Sequence, residues 1–105
     1  MTAAGAIEFE EGDCARISGA LTFETTPALY HEMATQVRGN SSPAVLNLAG
    51  VTAVDSAGLA LLLEWQAARN HTGSSIQIAN APSSLVRLAQ LCEAVDLLNL
   101  SGRHE

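Results

Sequence analysis

The chain of 105 residues carries 11 acidic against 5 basic side chains, a net charge of −6. That balance disfavours nucleic acid or anionic lipid as a partner, because a polyanion is repelled before contact. The basic residues are all arginines, Arg16, Arg38, Arg69, Arg87 and Arg103, and the absence of lysine excludes a P-loop Gly-Lys pair, a Schiff-base lysine and the lysine of receiver-type phospho-aspartate domains.

The length is that of a single domain able to bury a core without metal or disulfide staples. Ile7 and Phe9 alternate with Glu8 and Glu10, Gly12-Asp13 supplies turn chemistry, and Ala15 and Ile17 share a face, so the chain opens as a strand, a hairpin turn and a second strand. Thr26-Pro27 fits an N-cap followed by proline in the first helical turn. Leu29, Met33 and Val37 then recur at spacings of four, which predicts a helix from Pro27 to Arg38, ended by Gly39-Asn40-Ser41-Ser42-Pro43. Ala44 to Leu48 is short and apolar, as a strand covered on both faces would be, and Ala49 to Asp55 reads as a loop.

The second helix starts after Asp55 and is closed by Gly73, and SIQIA forms the next strand. A third helix begins near Pro82, with Leu85, Leu88, Ala89 and Cys92 at i, i+3, i+4 and i+7. The tail AVDLLNL is expected to dock on the sheet edge. This order implies an α/β domain with βαβ crossovers: a mixed, mostly parallel sheet of four to five strands with three to four helices.

The junction VTAVDSAGLALLLEW draws attention because Asp55 and Ser56 stand directly before a helix that is apolar on almost every side. Leu59, Leu62, Leu63, Gln66 and Asn70 form one stripe, and Leu61, Trp65 and Ala68 another. A helix apolar all round is buried all round, so one face covers the sheet and the other meets a neighbouring helix or another protein. Asp55 or Ser56 is expected to cap the helix. In open α/β sheets such loops, at the carboxyl ends of strands, are where partners are met.

Together, ISGALTFETTPAL and VDSAGLALLL resemble the STAS domain family over nearly the whole chain, and the D-S-x-G-L signature at Asp55, Ser56, Gly58 and Leu59 is the most specific element. Within the family, LTFETTPAL and VDSAGLALLLEW are most similar to the MlaB branch, small STAS subunits of the bacterial ABC transporters that maintain outer-membrane lipid asymmetry. The resemblance implies a non-enzymatic cytoplasmic subunit, peripheral at the inner membrane, that binds and supports the transporter's ATPase together with its permease. It needs no cofactor and does not itself insert into the membrane. A second branch, the anti-sigma factor antagonists, implies a phosphorylation switch at Ser56 and an anti-sigma kinase as partner. Those antagonists often carry G-E-L-D and D-S-S-G where this chain has Gly19-Ala20-Leu21-Thr22 and Asp55-Ser56-Ala57-Gly58; the missing acidic loop residues favour the transporter branch. The candidate partner-binding residues are Asp55, Ser56, Ala57, Gly58 and Leu61, with Phe23 and Tyr30 on flanking elements. Ser56 is expected to cap the helix and Gly58 to let the partner approach closely.

Other chemistries find little to build on. A hydrolase serine would sit on a G-x-S-x-G elbow, yet Val54 occupies the place of the first glycine. His31, His71 and His104 are scattered between a helix, a turn and the tail and share no metal-ligand spacing. Cys14 and Cys92 match no CxxC pattern and read as buried small hydrophobes in a reducing compartment. The opening MTAAGAIEFEEGD has neither a basic n-region nor a long apolar run, and AGLALLL falls well short of the roughly 20 residues of a membrane span.

Overall fold

The computed structural model describes residues 5–36 and 43–100. Strands β1 (Ala6–Glu10) and β2 (Cys14–Leu21) form the expected antiparallel hairpin, with Ile7 opposite Ile17 and Glu10 opposite Cys14. Its turn places both Gly12 (φ 78°) and Asp13 (φ 62°) in the left-handed region, the conformation that glycine and short polar side chains tolerate best. Helix α1 (Thr26–Gln36), strand β3 (Val45–Val54), helix α2 (Ser56–Asn70), strand β4 (Gln77–Ala79) and helices α3 (Ser83–Leu91) and α4 (Val95–Leu98) follow. The sheet order is β1-β2-β3-β4, with β2, β3 and β4 mutually parallel. Leu100 then bridges to Ile78, so the tail does dock on the β4 edge.

α1 opens from Thr25 rather than Thr26: the Leu29 N–H donates to the Thr25 carbonyl, and Pro27 sits in the first turn, where its missing N–H costs nothing. Val37, Arg38 and the expected terminator Gly39 to Ser42 lie outside the described residues. The expected loop from Ala49 is instead strand as far as Val54. Gly50, Val51, Ala53 and Val54 pair with Ser18, Gly19, Ala20 and Leu21, and two register shifts break the alternation that would have marked the segment as a strand.

The helices lie over the sheet face carrying Ile7, Ala15, Ile17, Leu46, Leu48 and Ile78, all buried. From above, Leu29, Met33, Leu59, Leu62, Leu85 and Ala89 complete the core. The strand residues that alternate with this set, among them Glu8, Arg16 and Asn47, point the other way. There Arg16 pairs with Glu8 at 3.3 Å and Glu10 at 3.4 Å, exposed ion pairs that contribute little to stability.

α2 is the central helix, in contact with β2 and β3 and flanked by α1, α3 and α4. Its all-round apolar character is therefore absorbed within the domain: Leu59, Leu61, Leu62 and Trp65 are all buried. Gln66, only 3 % exposed, satisfies backbone groups of two neighbours, accepting from Ile76 N (2.6 Å) and donating to the carbonyls of Ile76 (2.7 Å) and Leu98 (3.0 Å).

Phe9 is on the same face as Ile7 but 38 % exposed, because β1 is the edge strand and Phe9 lies towards its turn end. Two expectations about burial are corrected. Cys92 is exposed, since α3 ends at Leu91 before the stripe reaches it. Cys14 is only half-buried, with its thiol pushed up by burial and by the nearby Glu10 carboxylate.

Candidate functional site

Because β2 and β3 run parallel with Leu21 paired to Val54, their carboxyl ends deliver two chain segments side by side: Thr22 to Thr25, and Asp55 leading into α2. The two are joined by one side chain. Asp55 is extended (φ −122°, ψ −172°), as an N-cap residue should be, and its Oδ1 accepts from the Gly58 N–H at 3.0 Å. Its Oδ2 accepts from the Phe23 N–H at 2.9 Å, across 32 residues of sequence. The Asp55 N–H in turn donates to the Leu21 carbonyl at 3.3 Å. The Phe23 amide is the main influence holding the Asp55 carboxyl below its ordinary range; desolvation opposes it, and the amides of Gly58 and Ala57 add to it.

The cap is thus Asp55 and not Ser56. A carboxylate offers two acceptor oxygens where a hydroxyl offers one, and the site uses both. Ser56, the first residue of α2, is exposed and Ala57 is half-buried. Gly58 and Leu61 turn inward. Gly58 is buried against Leu21, where a Cβ would stand 2.0 Å from the carbonyl oxygen, so its lack of a side chain serves close packing inside the domain rather than approach by a partner. Leu61 belongs to the core. Neither offers surface to another molecule in the folded domain.

Phe23 is the most exposed aromatic of the described chain at 75 %, and Tyr30, beside the buried Leu29 on α1, is 51 % exposed. Exposed aromatics of this size are costly to leave in water and are favoured as anchors in protein interfaces. The loop that carries Phe23 is stiffened from within by Thr25. Its buried hydroxyl accepts from Thr22 N (3.0 Å) and donates to the carbonyl of Ala20 (2.8 Å). Thr25 was not among the sequence candidates, although a Thr-x-x-Thr spacing after a strand is a recognisable side-chain turn.

His31 is exposed on α1 and His71 follows the end of α2, while His104 lies outside the described residues. Among the described residues no three His, Cys, Asp or Glu side chains are grouped to hold a metal ion, and no helix is long and apolar enough to cross a membrane.

A solved anti-sigma factor antagonist, SpoIIAA in its unphosphorylated form, has the same fold: TM-score 0.64 over 83 % of this chain and 82 % of that one, at 14 % identity. No curated protein matches the chain. The family model described as MlaB, STAS domain, matches residues 10–101, which takes in every element from β2 to α4 and the whole Asp55 junction. The chain therefore belongs to the STAS domain family, in the group described as MlaB.

Proposed function

We propose that this domain is a non-enzymatic docking subunit that binds and supports the ATPase of a phospholipid-transport ABC complex. It would act on the cytoplasmic side, held at the inner membrane through the ATPase and its permease. STAS domains generally act by binding other proteins, and the membership in the MlaB group favours the transporter as the setting. The observation that carries the reading is the juxtaposition of the exposed Phe23 with the exposed Ser56, fixed by the Asp55 carboxylate between them. Phe23, Ser56 and Ala57 form the contact surface around Asp55, and Tyr30 extends it along α1.

The test is co-purification. Tagged protein expressed in its own cells should bring down an ABC ATPase with its permease, and Ser56→Glu should abolish that capture by placing a charge at the centre of the contact. Capture of the ATPase undiminished by Ser56→Glu and by Phe23→Ala would move the contact to another face.

The second reading, an anti-sigma factor antagonist switched at Ser56, is favoured by one specific feature: Ser56 is exposed at the start of the 15-residue α2, where the positive end of the helix dipole favours a phosphate. The neighbouring Asp55 carboxylate opposes that charge. A phosphate mass shift with ATP and a partner kinase, lost in Ser56→Ala, would establish this reading over the first.

A further inference from the structure

We infer that Asp55 is a positioning residue: its carboxylate holds Phe23 in place beside Ser56, and Phe23 rather than Asp55 touches the partner. This rests on the docking reading above and assigns the division of labour within it. Both carboxylate oxygens are occupied inside the domain, one by the Gly58 amide and one by the Phe23 amide. An exposed aromatic ring has few neighbours to fix it, so the point from which it projects is set by its backbone. That backbone is tied within its own loop by Thr25, which bonds Thr22 and Ala20, and by the Thr25 and Thr26 amides on the Thr22 carbonyl. Among the described residues, the bond to Asp55 is the hydrogen bond that ties this loop to the start of α2. A loop already held in its bound geometry loses less freedom on association, so the tether raises affinity without contact.

Asp55→Asn separates the two oxygens. An amide side chain keeps one acceptor and puts a donor where the other stood, so one of the two N–H groups must turn away. The Gly58 amide is fixed by the helix, whereas the Phe23 amide belongs to a loop that can move. Asparagine therefore preserves the cap, for which it is as good as aspartate, and releases Phe23.

The experiment is a calorimetric titration of the purified ATPase subunit from the same cells with wild type, Phe23→Ala, Asp55→Asn and the double variant, with amide hydrogen exchange read at Phe23 and Gly58. Phe23→Ala should weaken binding at least about tenfold, as loss of an aromatic anchor does. Asp55→Asn should weaken it about three- to tenfold, a loop-ordering cost, with faster exchange at Phe23 and unchanged protection at Gly58. The double variant should bind as Phe23→Ala alone, because a tether has nothing to position once the ring is gone. Losses that multiply in the double variant would mean that Asp55 meets the partner itself, and unchanged affinity in Asp55→Asn beside a weakened Phe23→Ala would mean that the tether is idle; either overturns the inference and leaves the docking reading standing. Wild-type affinity in Phe23→Ala overturns the inference, and together with undiminished capture by Ser56→Glu it overturns the docking reading as well. If Asp55→Asn does not fold, Asp55→Thr, another capping residue with a single side-chain oxygen, serves the same comparison.

Discussion

Gly58 sits on the backbone of Leu21: a Cβ at position 58 would stand 2.0 Å from the Leu21 carbonyl oxygen and 2.8 Å from its carbon. The obstacle is strand backbone and cannot swing aside. The same oxygen already accepts from the Asp55 N–H, so the first turn of α2 would have to lift off β2 and strain the cap. Gly58→Ala should therefore destabilise the domain by about 3 kcal/mol or more, at the top of the usual overpacking range. In an ordinary helical position the same change gains about 1 kcal/mol. Urea unfolding decides the sign.

Gln66 should prove as sensitive for the opposite reason. Replacing it with leucine, similar in size, removes the partner of the Ile76 N–H and the Leu98 carbonyl, while the Ile76 carbonyl keeps the Asn99 amide at 3.1 Å. Gln66→Leu is expected to cost about 2–6 kcal/mol, one to three for each of the two stranded groups. The loss should appear in urea unfolding together with faster amide exchange at Ile76, since the link from α2 to the β4 edge and to α4 is then gone.

How much of this was readable from the residues varies with the range of the interaction. Leu29 and Met33 announce the buried side of α1 by spacing alone, and Leu85 and Ala89 do the same for α3. Cys92 continues the α3 stripe on paper but falls at the helix end, and periodicity carries no information about where the cover stops. Ala49 to Asp55 reads as a loop from its residues alone; the strand character of its part up to Val54 comes from β2, through irregular pairing that no local pattern encodes. At the site, the D-S-x-G-L signature located the junction, yet the roles within it shifted: Asp55 caps, Ser56 is free at the surface, and Gly58 packs inward. The bond from Phe23 to Asp55 spans 32 residues and exists only because two parallel strands end together.

The titration of Asp55 gives a direct check on that bond. Its carboxyl is held below the ordinary value, chiefly by the Phe23 amide. A depressed folded value means that the ionised form is favoured by folding, so the contribution is fully present above the unfolded value of about 3.9 and is lost as pH falls through the lower folded one. The stability difference between wild type and Asp55→Asn should accordingly be constant near neutrality and shrink in acid. The Phe23 amide proton resonance should move with the same acid midpoint. A midpoint for that resonance at or above the ordinary aspartate value would contradict the hydrogen bond.

Ser56→Glu should separate binding from folding most cleanly, because the two effects have opposite signs. The first turn of α2 contains no acidic residue, although the positive end of the dipole favours one. A glutamate at position 56 is exposed and needs no burial, so it should stabilise the helix by up to about 1 kcal/mol, offset in part by repulsion from Asp55. The melting temperature of the isolated domain should thus hold or rise slightly. On the proposed docking reading, binding to the ATPase should fall steeply, since a charge without a counter-charge is stripped of water at the centre of a contact. A variant that melts lower and binds less would point to misfolding of the junction, whereas one that melts higher and binds less identifies the start of α2 as part of the contact itself.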